Sequence, residues 1–208
     1  MLRGVYVVTL ISRSPESPEN FSELLEQLNA LEPAIPFIQT YPDEVQGGFE
    51  SAEPALRAML LAAPEARFWA GIGVGAVKAP RFAAALGAIS TPECSGDALD
   101  FSRLAVEQAQ TGSPARGIVV LGHHRAFSEQ ATGLARLIFR VASERTDAEN
   151  RVLSLIVPGV RGQQKAVAQA LGISAQAVSK TLVRSYYHEQ EAALPALAEI
   201  LINLDQDS

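Results

Sequence analysis

Cysteine, tryptophan and long apolar runs are scarce in this chain of 208 residues. Cys94 is the only cysteine, which excludes an internal disulfide and a cysteine-built metal site. No apolar run approaches the roughly 20 residues that span a bilayer. The apolar stretch 4–11 is short and is followed by Arg13, so we expect a buried strand rather than a signal peptide. With 48% hydrophobic residues, the chain is expected to be a cytoplasmic globular protein without membrane contact.

Acidic residues are absent between Glu149 and Glu189, although the whole chain carries a net charge of −6. The part before this gap carries −6, the tail from Glu189 carries −5, and the gap itself carries +5. A surface that binds phosphates must exclude carboxylates, so the gap favours contact with nucleic acid. The five basic residues of the gap are Arg151, Arg161, Lys165, Lys180 and Arg184.

The same segment has the pattern of a helix-turn-helix over residues 164–185. Ala168 supplies a small residue at the helix crossing, and Gly172 supplies a turn residue that adopts positive φ without strain. Ser174 is placed to cap the second helix. Three apolar positions complete the pattern: Ile173 as a plug at the turn, and Val178 and Leu182 as a buried stripe. The alternative is an ordinary two-helix corner, and the local charge favours DNA binding over it.

The second helix of such a motif lies in the major groove of DNA, with its first residues against base edges. We expect base contacts from Gln176, Ala177 and Lys180, because glutamine suits adenine and lysine suits guanine. Phosphate contacts are expected from Arg161, Lys165 and Arg184. A two-fold homodimer would place two such helices about one DNA turn apart and imply a palindromic site.

The rest of the chain predicts an α+β fold in the order β-α-β-β-α-β and then α-β, as in a ferredoxin-like sandwich. Ser17-Pro18 is expected to start the first helix, and 79–90 is either a loop or a short helix. This domain is assigned to 1–125 and an all-α domain to 126–208. In the second domain, Ser128 is expected to cap a helix, and Thr146 and Glu149 form a capping box for a helix through Val157.

The last predicted helix, 191–204, carries a leucine stripe. Its members recur at a spacing that is also found in coiled coils. The stripe therefore packs within the protomer or pairs with a partner helix. The four leucines are Leu194, Leu197, Leu201 and Leu204.

Several short motifs of the N-terminal part occur together in one family. The hairpin 42–47 resembles the Gly-Asp-Glu-aromatic-Gln-Gly hairpin of SatD-like proteins, with Pro42 in place of the first glycine. The stretch 67–75 resembles their Arg-apolar-Gly-apolar-Gly-apolar-Gly strand, and 96–103 resembles the Gly-x-Ala-x-x-x-Ala-Arg helix that follows. Ser12-Arg13 fits the family at the end of the first strand. This family also ends in a helix-turn-helix, so the resemblance covers nearly the whole chain.

The hairpin and glycine strand also resemble those of class III nucleotide cyclases, whose core is a ferredoxin-like sheet. That resemblance implies a nucleotide and two metal ions held by carboxylates of the first strand and the hairpin. Here the first strand has no acidic residue, which leaves Asp43 and Glu44 either as solvated turn residues or as weak ligands. The face of Gly71, Gly73 and Gly75 admits either a ligand or a packed helix.

The sequence therefore favours a transcriptional regulator with no cofactor, no metal and no catalytic residues. Its partners are expected to be double-stranded DNA and a second copy of the chain, and its N-terminal domain dimerises or senses a small molecule. The alternative is a nucleotide-binding protein or enzyme on the cyclase-like fold. His123 and His124 are expected to be a solvated loop pair rather than metal or phosphate ligands.

Overall fold

The structure is a computed structural model that describes residues 2–14, 21–80, 89–112 and 117–204. Within these ranges, five strands form one mixed sheet: β1 (Leu2–Ser12), β2 (Ile35–Tyr41), β3 (Glu44–Phe49), β4 (Phe68–Val77) and β5 (Ile118–Leu121). The same residues form eight α-helices: α1 (Ser22–Asn29), α2 (Ala52–Leu61), α3 (Asp97–Thr111), α4 (Arg125–Ser143), α5 (Asp147–Leu153), α6 (Gln164–Leu171), α7 (Ala175–Arg184) and α8 (Tyr187–Leu204). The α+β class is confirmed. No described helix is both long and apolar enough to cross a membrane.

Strand β1 lies at the centre of the sheet, whose order is β2-β3-β1-β4-β5. It runs antiparallel to both β3 and β4, β2 runs antiparallel to β3, and β5 runs parallel to β4. Val5, Val7 and Val8 of β1 are fully buried. A strand that is covered on both faces carries a continuous apolar run, which is why the sequence predicted a central strand here.

One face of the sheet carries the main hydrophobic core. Tyr6, Val8 and Leu10 of β1 belong to this core, together with apolar residues of α1, α2, α4 and α8. Burial of each large apolar side chain contributes about 1.5–3 kcal/mol. Ile138 and Phe139 of α4 belong to the same core, so it continues past residue 125, where the sequence predicts a domain boundary. The division into two domains stays a prediction.

The leucine stripe of α8 points into this main core. Its four leucines are between 0 and 5% exposed and contact the sheet-based cluster. Packing within the protomer is therefore confirmed, and pairing of this stripe with a partner helix is wrong. The helix also begins earlier than expected, at Tyr187 rather than residue 191. The buried residues of the stripe are Leu194, Leu197, Leu201 and Leu204.

Helix α3 covers the opposite face of the sheet and lies directly on the glycine strand. A Cβ atom at Gly71 would lie 2.5 Å from the Ser102 carbonyl oxygen and 2.5 Å from the Val106 nitrogen. A Cβ atom at Gly73 would overlap backbone atoms of Ala98 and Ser102. The glycines therefore let a helix backbone approach the sheet closely, which was one of the two alternatives for this face.

Helix α4 closes the free edge of β5 with polar side chains. The Thr132 hydroxyl accepts a hydrogen bond from the Val120 N–H and donates one to its carbonyl, each at 3.0 Å. Arg136 Nε donates to the Ile118 carbonyl at 3.0 Å, and the Ser128 hydroxyl accepts from the Gly122 N–H at 3.1 Å. These bonds satisfy an edge that would otherwise be free to pair with another strand.

Two helix ends differ from the sequence expectation, and one lies outside the described residues. Helix α4 begins at Arg125, so Ser128 lies inside its first turn and is not its cap. Helix α5 ends at Leu153 rather than Val157, and residues 154–163 form a loop. Ser17-Pro18 lies outside the described residues, as does most of 79–90.

Replacing Gly73 with alanine is expected to destabilise the fold strongly. The added methyl group meets the backbone of α3, which has no rotamer to change, so we expect a loss of about 3 kcal/mol or more. Gly48→Ala is the matched control on β3, because its Cβ would lie 3.4 Å from the nearest side-chain atom, Ile35 Cδ1. Urea unfolding followed by circular dichroism measures both variants. Equal stabilities of the two variants would contradict this account of α3.

Candidate nucleic-acid interface

Helices α6 and α7 are joined by a turn with both predicted capping residues in place. Gly172 has φ 65° and ψ 30°, the left-handed conformation that glycine adopts without a Cβ penalty. The Ile173 N–H donates to the Ala168 carbonyl at 3.0 Å, and the Gly172 N–H donates to the Gln169 carbonyl at 3.4 Å, which is the Schellman pattern. The Ser174 hydroxyl accepts the Ala177 N–H at 3.1 Å and begins α7.

The helix pair has its own hydrophobic cluster, separate from the main core. Val178 and Leu182 of α7 are buried at 0 and 3% exposure, and Ala168 of α6 is buried at the crossing, as predicted. Val152 of α5 completes the contact, so three helices share this cluster. Ile173 is 41% exposed and is absent from the cluster, so its expected role as an apolar plug is wrong.

The face of α7 opposite to this cluster is open to solvent. Gln176 and Lys180 are exposed, one helical turn apart, while Val178 and Leu182 point inward. Ala177 is half-buried beside them. Sequence reasoning missed Val183, which is 69% exposed on the same outward side. The signal was available, because residue 183 lies seven positions after Gln176 and three after Lys180, which puts it on their face.

Arg161 and Lys165 lie on either side of the start of α6, and both are exposed. The loop before this helix is held by the Gln163 side chain. Its Oε1 accepts the Val157 N–H at 2.9 Å, and its Nε2 donates to the carbonyls of Val157 and Val160 at 2.7 and 2.9 Å. The loop that carries Arg161 therefore leads into the positively polarised end of α6.

Arg184 is in a different environment from the one predicted. Its Nε donates to Glu149 Oε1 at 2.7 Å, and the Glu149 side chain is only 8% exposed. Glu149 also accepts the Thr146 N–H at 2.8 Å, so the predicted capping box of α5 is present. The Thr146 N–H is the main cause that lowers the pKa of Glu149, and Arg184 adds to it against the effect of burial. The charge of Arg184 is therefore shared with a carboxylate rather than left for a phosphate alone.

The hairpin between β2 and β3 does not present two solvated carboxylates. Glu44 is only 6% exposed, so the solvated-turn interpretation is wrong for this residue. The Thr40 hydroxyl donates to it, yet burial dominates and raises the pKa of its carboxyl group. The backbone carbonyl of Asp43 accepts the Ser12 N–H at 2.8 Å and ties the hairpin to β1. In the part of the chain that the structure describes, no three metal-binding side chains cluster together.

The glycine face of β4 offers no space for a ligand. Gly71, Gly73 and Gly75 face α3, and a Cβ at Gly75 would lie 2.7 Å from Asp97 Oδ1. The weak ligand-binding assignment of these three glycines is therefore corrected. A helix fills the space because the absence of side chains lets its backbone approach.

Asp97 and His123 form a side-chain hydrogen bond that sequence reasoning missed. His123 Nε2 lies 2.7 Å from Asp97 Oδ2, and the ring of His123 meets Phe101 edge-on at 5.1 Å between centroids. Burial alone would raise the pKa of Asp97, but the Ala76 N–H and His123 outweigh it and lower the pKa. His123 lines a cavity of about 630 Å³ beside Arg125 and Arg136. His123 lies in the loop after β5 with 42% of its side chain exposed, so the expected solvated loop position is confirmed for this residue. Its contact with Asp97, 26 positions away, gave no signal in the sequence.

Glu149→Gln is expected to lower stability in a pH-dependent way. A carboxylate with a lowered pKa in the folded state contributes stability above its ordinary value of 4.5, and this is lost as pH falls through the folded value. We expect a loss of about 1–2 kcal/mol at pH 7 from the weakened cap and ion pair. The difference from wild type should shrink below pH 4.5. Urea unfolding from pH 3 to pH 7 measures it.

The matched control for this prediction is Glu144→Gln. Glu144 is an exposed glutamate paired with Arg140 one turn away, and such surface pairs contribute about 0.3–0.5 kcal/mol. Its effect on stability should therefore be small at every pH. A difference between wild type and Glu149→Gln that stays constant down to pH 3 would contradict the assigned role of the ionised carboxylate.

Comparison of the chain with protein-family models, with curated proteins and with solved structures gives no significant match. The resemblance to SatD-like proteins therefore stays a prediction that is based on the motifs quoted above.

Proposed function

We propose that the protein is a DNA-binding regulator and that α6 and α7 form the helix-turn-helix through which it reads double-stranded DNA. One observation carries the proposal. The capped helix pair buries its apolar side on α5 and exposes Gln176 and Lys180 on the other side, within a segment that has no acidic residue. An ordinary helical corner has no reason to combine these three properties.

The dimensions of α7 suit the major groove. Its ten residues give a length of about 15 Å, and the groove is about 12 Å wide. Gln176 on the first turn reaches an adenine edge, and Lys180 on the next reaches a guanine edge. Ala177 is small enough to allow a close approach. Val183 adds an apolar side chain that can contact a thymine methyl group.

The phosphate contacts are proposed to centre on the start of α6. The free N–H groups of a helix N-terminus attract phosphate, and Arg161 and Lys165 add two exposed cations there. Ser174 contributes as the cap that orients the first turn of α7. Arg184 is proposed as a weaker phosphate contact, because its guanidinium group already pairs with the Glu149 carboxylate.

The N-terminal part is proposed to be a ferredoxin-like domain of the SatD-like type. The strand order β4-β1-β3-β2, with α1 and α2 as the two connecting helices, supports that assignment. We propose that the protein acts as a homodimer, because a single helix of this length reads few base pairs and a two-fold axis doubles the site. A palindromic target follows from that symmetry.

Nucleotide binding at the hairpin receives less support than DNA binding. The Glu44 carboxyl group is buried with a raised pKa, which disfavours the charged form that would hold a metal ion. Helix α3 occupies the glycine face where the backbone would approach a ligand. The contact of Asp97 with His123 holds the ring in one orientation, but an oriented ring alone does not define a reaction.

The direct test is to sequence the fragments of genomic DNA that the purified full-length protein retains. We expect enrichment of a short palindromic motif, and fluorescence anisotropy on that motif should show binding that weakens steeply with salt. Absence of affinity for any duplex at 50 mM salt would refute the proposed function.

The variants Lys180→Ala and Lys165→Ala are expected to weaken DNA binding in two different ways. Loss of a base contact at Lys180 should cost about 1–3 kcal/mol on the preferred motif and little on scrambled DNA. Loss of a phosphate contact at Lys165 should weaken both equally and reduce the salt slope by about 0.9. Lys78→Ala is the matched control, because Lys78 is exposed and lies at the end of β4, away from α7. Equal losses on both DNAs from both variants would contradict these roles.

A further inference from the structure

Helix α4 is exposed on one side from its first turn to its C-cap. The other side packs into the main core, through residues such as Ala135 and Ile138. We call the exposed side the outer face of α4. It is defined by six exposed residues that recur at intervals of three or four, the spacing that keeps side chains on one side of a helix. They are Arg125, Glu129, Gly133, Leu137, Arg140 and Glu144, the last of which is the C-cap.

The centre of the outer face combines an exposed leucine with a glycine. Leu137 is 69% exposed. Gly133 lies one turn before it, and a Cβ atom added there would meet no described atom within 4 Å. Glycine is a poor helix former, and no contact of the described residues requires it here. A glycine on a helix surface lets a second helix come close and leaves a hollow for a large side chain. Leu137 is such a side chain, so the outer face is complementary to itself in shape.

The charges of the outer face alternate in sign along the helix. Arg125 and Arg140 are positive, Glu129 and Glu144 are negative, and all four side chains are more than half exposed. We consider a second α4 that lies antiparallel across the first, with the two-fold axis between residues 134 and 135. Arg125 then faces Glu144 of the second copy, and Glu129 faces its Arg140. A parallel pair in register would place like charges side by side instead, so the charge order favours the antiparallel pair.

We propose that the outer face of α4 binds a second copy of this chain, with the two α4 helices antiparallel. Leu137 of each copy packs over Gly133 of the other at the centre, and the alternating charges fix the register on both sides. This interface deepens the proposed homodimer by naming the surface that forms it. One helix pair buries less than the roughly 1,200 Å² of a stable complex, so the dimer is expected to dissociate at micromolar concentrations.

The antiparallel arrangement also sets the distance between the two proposed DNA-reading helices. Arg145 follows α4 directly and donates two hydrogen bonds to the carbonyl of Ser185, the C-cap of α7. The end of each α4 therefore marks the end of one α7. At 1.5 Å per residue, positions 145 of the two copies lie about 30 Å apart along the helix axis. This is close to the roughly 34 Å of one DNA turn. The match to DNA rests on the proposed function, whereas the dimer itself does not.

Sedimentation equilibrium of the full-length protein tests the surface directly. We expect a monomer–dimer equilibrium with a Kd between about 1 and 100 µM. Leu137→Lys should weaken the dimer about tenfold or more and leave the thermal midpoint of the monomer unchanged, because this side chain is exposed. Ile202→Lys is the matched control, since Ile202 is also an exposed apolar residue but lies on α8 beside α2. A protein that stays monomeric at about 500 µM, or a Leu137→Lys variant that dimerises like wild type, would overturn the proposal.

An exchange of charges separates contacts between copies from contacts within one helix. Glu129→Arg and Arg140→Glu each place like charges across the interface, and each alone should weaken the dimer about fivefold. The double variant restores opposite charges between the copies, although the like-charge contacts with Arg125 and Glu144 remain within each helix. Its Kd should therefore return to the wild-type value. A double variant as weak as the single variants would refute the antiparallel register.

Gly133→Gln is expected to act in opposite directions on the monomer and the dimer. Glutamine is a better helix former than glycine and has open space at this position, so the thermal midpoint measured well below the Kd should rise. The same side chain fills the hollow that Leu137 of the second copy would occupy, so the dimer should weaken about tenfold. A dimer as strong as that of wild type would refute the close approach of the helices at Gly133.

A last measurement separates the dimer from its effect on DNA. Wild type should bind the whole enriched motif about tenfold or more tightly than a half-motif, and Leu137→Lys should lose most of this difference. An unchanged difference in Leu137→Lys would overturn the match to DNA and leave the dimer supported by the sedimentation. A dimer with the expected variant effects but without affinity for any duplex would refute the proposed function alone.

Discussion

The packing of α8 into the sheet-based core is the contact on which the arrangement of the whole chain depends. The helix follows α7 within three residues, and its leucine stripe is buried against the same cluster as Leu10 and Ile72. The exit of α7 is therefore fixed relative to the sheet. Without the packing of α8 on the sheet, α5, α6 and α7 would form a separate unit joined to the rest by a flexible linker. Only their small hydrophobic cluster would then hold these three helices together.

Polar contacts then set the orientation of that unit at the junction. The bidentate pair of Arg57 and Glu191 joins α2 to α8, and Arg145 at the end of α4 donates twice to the Ser185 carbonyl at the end of α7. These are charge-assisted bonds with defined geometry, and such bonds are more directional than apolar contacts. The apolar core supplies most of the stability, and the polar contacts select one orientation. A cavity of about 400 Å³ remains where the two surfaces do not fill the space.

Local rules predicted the local structure well. The Gly172 turn, the Ser174 cap and the box of Thr146 and Glu149 each depend on residues within four positions of one another, and all three are present. The strand β1 was recognisable because full burial requires an unbroken apolar run. Contacts between distant residues had no such signal. The packing of helix α3 on the glycine strand was one of two open alternatives, and the position of the helix in the folded chain decides between them.

The same limit applies to the candidate interface. Its helix positions follow from periodicity, but the partner of Arg184 is 35 residues away in the sequence, and no local pattern predicts that ion pair. The pair also changes the electrostatic argument. The acid-free segment carries five positive charges, and Glu149 at its border removes one of them, which leaves +4. Because this carboxylate is buried and fully hydrogen-bonded, it repels phosphate little, and the exposed face of α6 and α7 remains positive. The parts of the chain before and after the segment carry net charges of −6 and −5, so the candidate interface is a positive region in an otherwise acidic chain.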